Sequence, residues 1–225
     1  MKPLLRKMDS GMKFNTIERP KLISLAVALF CFSIVANVFK QQIIVLQDRQ
    51  GFLMSDPILN ILGPWDLNLP IFLLTYIPIV FGLLYVIRDS KKCIALIYSY
   101  CLLQIFRLSC IYLVPLEPPA GMIFLNDPIS DHLVFGTIIT KDLFFSGHVS
   151  AIILFSFYFN SRKIRWLYRA IALADAFCLM GQHVHYFIDV LSAPLFAFIS
   201  YLIIKKINEE YFTKPHRSAC FEKML

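Results

Sequence analysis

The stretch that decides the fold is residues 143–189, LFFSGHVSAIILFSFYFNSRKIRWLYRAIALADAFCLMGQHVHYFID. Ser146-Gly147-His148 stands near its start and His185-Tyr186-Phe187-Ile188-Asp189 closes it. Between them lie two apolar runs joined by a turn that holds Arg162, Lys163 and Arg165. The two histidines are about 37 residues apart, roughly two membrane crossings plus a turn. Such a path brings the chain back to the side from which it left. His148, His185 and Asp189 are therefore expected at one membrane surface, where apolar helix meets water.

Working outward, the rest of the chain has the same character. Of its 225 residues, 58% are hydrophobic and only 16% are charged, whereas soluble domains carry about a quarter charged residues. Mean hydropathy is +0.65. These values imply an integral membrane protein with one membrane domain. Six apolar segments can be drawn, at about Leu22–Phe39, Leu69–Ile87, Ile94–Val114, Leu143–Phe159, Ile164–Met180 and Tyr186–Ile204. The expected fold is an all-α, six-transmembrane-helix bundle. It divides into a basic N-terminal tail (1–21), a membrane catalytic domain (22–204) and a C-terminal tail (205–225). The first run is read as a membrane helix and not as a cleavable signal, because no small-x-small site follows it closely.

The net charge of +7 does not point to nucleic acid, because the basic residues cluster between apolar stretches. They stand in the N-terminal tail (Lys2, Arg6, Lys7, Lys13, Arg19, Lys21) and the second-to-third connection (Arg88, Lys91, Lys92). The fourth-to-fifth turn and the C-terminal tail (Lys205, Lys206, Lys214, Arg217, Lys223) hold the others. A six-helix path puts all four groups on one side. The other side holds Asp48, Asp56, Asp66, Glu117, Asp127 and Asp131. The positive-inside rule then predicts cytoplasmic termini and an extracytoplasmic site. The connection Pro115–Asp142, rich in Pro, Gly and Asp, is expected to be an ordered loop covering that site. Residues 47–68 are expected to hold a short interfacial helix.

The chemistry is read from residue types. Asp189 follows His185 by one helical turn, so the two share a face. A carboxylate there fixes the tautomer of the imidazole and stabilises its cation. His185 is then free to attack phosphorus through its other nitrogen. His148, as imidazolium, can protonate a leaving alkoxide. Gly147 allows close backbone approach, and Ser146 can cap the fourth helix or donate to a phosphate oxygen. Arg107 lies about 10 Å deep in the third run; it is either a clamp on phosphate oxygens or a salt bridge with an acidic group on a neighbouring helix. Lys141 and Asp142 stand close enough to Ser146-Gly147-His148 to touch a head group. His183 should face away from His185, and His132 should be solvated in the loop. Asp175, mid-span, needs a polar partner. The six cysteines show no CxxC or CxxH spacing, so neither a metal nor a disulfide framework is expected. No cofactor is expected either.

These residues resemble a known family. Asp142-Leu143-Phe144-Phe145-Ser146-Gly147-His148 is similar to the Gly-Asp-x-x-Phe-Ser-Gly-His-Thr segment of sphingomyelin synthases, and His185-Tyr186-Phe187-Ile188-Asp189 to their His-Tyr-Thr-Ile-Asp segment. Arg107 to Pro118 is similar to their arginine segment ending in Leu-Pro-x-Pro. The resemblance covers about Arg107 to Ala197. It points to the C-terminal-type branch of the phosphatidic acid phosphatase type 2 superfamily. It implies a metal-free His-His-Asp triad with His185 as nucleophile, Asp189 as its partner and His148 as acid, then base. It also implies a membrane phospholipid donor and, as acceptor, a lipid alcohol or water. Val149 and Phe187 depart from the family pattern, and the Lys-x6-Arg-Pro signature of the wider superfamily is absent. The triad alone suits a head-group transferase or a hydrolase equally. A catalytically silent lipid-binding or transport protein is the third possibility.

Overall fold

In the computed structural model the chain forms six helices: α1 (Arg19–Gln47), α2 (Asn68–Val86), α3 (Ser90–Leu113), α4 (Gly147–Ser156), α5 (Arg162–Gly181) and α6 (Phe187–Thr213). The structure describes residues 19–127, 136 and 139–213, with side chains from residue 22 to 209. His132, Asp131 and most of the two basic tails lie outside the described residues.

Four of these helices are long and apolar enough to cross a membrane: Leu22–Gln47, Asn68–Val86, Ser90–Leu113 and Phe187–Glu209. Several such helices mark an integral membrane protein. The fourth and fifth expected spans differ from the reading of the sequence. α4 has only 10 residues, about 15 Å of helix, because the chain stays irregular through Leu143–Ser146 and turns at Phe157. α5 has the length, but Arg162, Lys163, Arg165, Arg169 and Asp175 lower its hydropathy. The interfacial helix expected within 47–68 is not formed. Pro57–Asn60 makes a turn there, closed by bonds from the Asn60 and Leu62 amides to Asp56 and Ile58. α1 runs past Phe39 to Gln47, since no Gly or Pro interrupts that stretch.

α4 is the centre of the bundle. Every residue from Val149 to Ser156 is buried, as expected of a helix apolar on all sides. It packs on α5, α6, α2 and α3, whereas α1 lies outside against α3. A side chain at Gly82 of α2 would collide with the Phe155 ring of α4. Tyr168 of α5 donates its hydroxyl to the Pro78 carbonyl at 2.7 Å. Phe145 and Phe196 stack with ring centroids 4.2 Å apart, fixing the approach to α4 against α6. This up-and-down order puts the N-termini of α2, α4 and α6 at one end, with the C-termini of α1, α3 and α5. The α2–α3 and α4–α5 turns lie at the other.

Candidate active site

The turn from Gly181 to Asp189 organises the site end. Gln182 is fully buried. Its Oε1 accepts from the Leu67 amide at 2.9 Å, and its Nε2 donates to Asn68 Oδ1 and the Ile123 carbonyl. His183, in the left-handed region at φ 59°, places its ring nitrogens 2.8 Å from the carbonyls of Ala120 and Leu62. Tyr186 donates to the Glu117 carbonyl and accepts from the Met54 amide. The Phe187 amide, at the start of α6, donates to Asp56 Oδ2 at 2.7 Å. One short turn thus ties the α1–α2 and α3–α4 loops together and anchors the N-terminus of α6. His183 meets loop carbonyls whereas His185 meets Asp189, and because this turn is not helical the helix spacing assumed for the two histidines does not apply.

His185 and Asp189 form the expected pair. His185 Nδ1 lies 3.3 Å from Asp189 Oδ2, and both side chains are buried. The same carboxylate oxygen accepts from the Tyr186 amide at 3.0 Å. Asp189 is therefore held by the backbone of its own turn, and it holds the ring through Nδ1. The Nε2 atom takes no part in this contact.

The Ser-Gly-His segment joins this pair directly. The Ser146 amide donates to the Asp189 carbonyl at 3.1 Å. His148 follows in the first turn of α4, with a side chain one-fifth exposed. Ser146 occupies the cap position of α4, but its hydroxyl makes no capping bond. The expected cap is thus not made: the backbone at φ −58°, ψ 121° does not bring the hydroxyl onto the first-turn amides.

Gly147 has a steric reason to be glycine. A Cβ built there would fall on the guanidinium of Arg107. Arg107 is buried on α3, donates from Nε to the Phe145 carbonyl at 3.1 Å, and is paired through Nη2 with Asp142. Its Cζ also lies 5.4 Å from the centre of the Phe39 ring. Arg107 thus makes a salt bridge, with Asp142 of the connection before α4 and not with an acid on a neighbouring helix, and it buttresses the Ser-Gly-His backbone. Lys141 is turned elsewhere. Its ammonium donates to Glu117 Oε1 at 2.9 Å and to the Arg49 carbonyl at 2.7 Å, and its amide donates to Gln47. The Lys141 ammonium, followed by the Gly51 amide, holds the Glu117 carboxyl below the usual carboxylate range.

Two aspartates not read as site residues flank His148. Asp127, buried in the long loop, has Oδ2 3.7 Å from His148 Nε2. That oxygen also accepts from the Tyr76 hydroxyl at 2.7 Å. Asp175 of α5 has found its polar partner in Thr75 of α2 at 3.4 Å and lies within electrostatic range of His148. No local motif marked Asp127, since its proximity to His148 arises only from the path of the loop.

Buried polar atoms are nearly always hydrogen-bonded. Among the described residues, five buried side-chain atoms have no partner, and four of them belong here: Asp142 Oδ1, Ser146 Oγ, His148 Nδ1 and Asp189 Oδ1. Two of these groups can donate to a phosphoryl oxygen, and two can accept from a hydroxyl. Unsatisfied capacity is thus concentrated where the two motifs meet.

The helical bundle thus sets Ser146, two residues before His148, against the turn that holds His185 and Asp189. Residues 141–207 match the family described as PAP2 superfamily C-terminal. The matched span contains His148, His185 and Asp189, and it supports a place in the phosphatidic acid phosphatase type 2 superfamily. That superfamily is mostly enzymatic, which supports phosphatase or phosphotransferase activity on lipids. No curated protein and no solved structure matches the chain.

Proposed function

We propose that the protein is a lipid phosphotransferase of the sphingomyelin synthase-like branch. It moves a phosphocholine- or phosphoethanolamine-like head group from a glycerophospholipid to a lipid hydroxyl, that of ceramide or diacylglycerol. The observation that carries this reading is the junction of the two motifs. The buried His185–Asp189 pair and the segment bearing His148 share a backbone hydrogen bond. His185 Nε2 attacks phosphorus and takes the phospho-head group, while His148 protonates the departing alkoxide. His148 then removes the proton of the incoming hydroxyl. Asp189 keeps the His185 ring oriented and balances its charge.

The distribution of charge supports an extracytoplasmic site. Arg88, Lys91, Lys92, Arg162, Lys163, Arg165, Lys205 and Lys206 stand at or near the ends of helices opposite the triad. By the positive-inside rule that end is the cytoplasmic one, with both termini inside.

The test uses purified protein in mixed micelles with a head-group-labelled phospholipid, with and without ceramide or diacylglycerol. Label passing into a new lipid in wild type, and not in His185→Ala, is the expected result. Label released to water regardless of acceptor identifies a hydrolase using the same triad. No turnover across a broad donor panel overturns the enzymatic reading in favour of lipid binding or transport.

A further inference from the structure

The histidine pair is asymmetric in a way that extends the proposed reaction. His185 meets its carboxylate through Nδ1. His148 meets one through Nε2, 3.7 Å from Asp127 Oδ2. That separation is an ion-pair contact, too long for a hydrogen bond. Asp127 does not drift there by chance of exposure, for it is buried and Tyr76 of α2 donates to the same oxygen at 2.7 Å. The other ring nitrogen, His148 Nδ1, is buried and has no partner among the described residues.

Resting on the function proposed above, we infer that Asp127 is the positioning residue of His148, and that the two histidines work with opposite ring polarity. His185 is held through Nδ1 and reacts through Nε2; His148 is held through Nε2 and exchanges its proton through Nδ1. Tyr76 fixes the Asp127 carboxylate. On the α3 side, Arg107 lies beneath Gly147 but is balanced by Asp142.

The proton steps follow. In the first half-reaction a bond forms between His185 Nε2 and phosphorus as the P–O bond to the leaving alkoxide breaks. The proton on His148 Nδ1 passes to that oxygen. In the second, the acceptor hydroxyl gives its proton to His148 Nδ1 and its oxygen bonds to phosphorus. The electron pair of the P–N bond returns to His185. Asp127 stays ionised throughout, and Nε2 of His148 keeps its proton toward Asp127.

Two donors separate positioning from mere folding. A phospholipid donor has an alkoxide leaving group that must be protonated, whereas p-nitrophenyl phosphocholine has one that need not be. Asp127→Asn should slow the phospholipid reaction by about 10- to 100-fold, and the aryl donor by less than about threefold. Asp127→Glu, which keeps the carboxylate, should recover much of the phospholipid rate. Equal loss with both donors, or no loss with either, overturns the inference. A second arm does not depend on turnover. In protein labelled with 15N-histidine, neutral His148 should be the Nε2–H tautomer, and Asp127→Asn should weaken that preference. An Nδ1–H tautomer in wild type, or no change in the variant, contradicts the assignment. Wild type that turns over neither donor defeats the proposed function itself, while the tautomer measurement still decides the polarity of His148.

Discussion

The Ser146 amide donates to the Asp189 carbonyl at 3.1 Å, joining the segment that leads into α4 and His148 to the first turn of α6. Two motifs far apart in sequence are thereby held as one unit. A backbone bond fixes their relative position alongside the Phe145–Phe196 stack.

Gly147 is the tightest point. In Gly147→Ala the new methyl group would displace the Arg107 guanidinium from Phe145 and Asp142. Overpacking of this kind costs about 1–3 kcal/mol, and the Ser-Gly-His backbone should move with it. Thermal unfolding in detergent should show the loss, and turnover should fall more steeply than stability. A variant with wild-type stability and rate would mean that Arg107 does not lie under this loop.

The Arg107–Asp142 pair should behave as a coupled unit. Removing one partner leaves the other partly buried and uncompensated, which is worse than removing both. Arg107→Ala and Asp142→Ala together should therefore destabilise by less than the sum of the single changes, with a coupling energy of about 1 kcal/mol or more. Strict additivity in a double-mutant cycle would show that the bridge is not made in the membrane.

His183 should prove structural. Its two ring contacts go to the Ala120 and Leu62 carbonyls, both acceptors. A neutral ring donates to one of them, so His183→Ala strands that carbonyl, at about 1–3 kcal/mol. The variant should unfold at lower temperature yet still take up label on His185 when assayed well below that temperature. Complete loss of labelling in a folded variant would instead make His183 part of the chemistry.

Acid should loosen the loop layer through Glu117. Its folded carboxyl titrates below the unfolded one because of Lys141 and Gly51. The sign is that of a depressed acid: the stabilisation is complete above the unfolded value of about 4.3, and is lost as pH falls through the folded value. Glu117→Gln should flatten that part of the stability–pH curve. Because the group is partly exposed, the effect should shrink with added salt. An unchanged curve in the variant would assign the acid sensitivity to other groups.

The parts of the site that were legible in the sequence are those carried by short-range geometry. His185 and Asp189 lie one helical turn apart, so a helix start was enough to pair them. Arg107 stood out because a charge deep in an apolar run must meet something. What the sequence did not disclose depends on loops. Asp127 and Asp56 reach His148 and the α6 N-terminus across long connections, and nothing in their neighbours marks them. Gln182 reads as an ordinary polar residue, yet it ties two loops to the α5–α6 turn. The fold was legible in its helices but not in their lengths. Apolar composition over Leu143–Phe159 suggested a full span, whereas the backbone of Leu143–Ser146 is irregular, and only Gly147–Ser156 is helical.

The account turns on a covalent intermediate at His185. Wild type should be mixed with a head-group-labelled phospholipid, quenched at alkaline pH, where a P–N bond to histidine survives, and mapped by peptide mass spectrometry. The account predicts a phospho-head group on the peptide holding His185. It should be absent in His185→Ala and discharged when a lipid alcohol is added. Turnover without any labelled histidine, or label on His148 in place of His185, would contradict it.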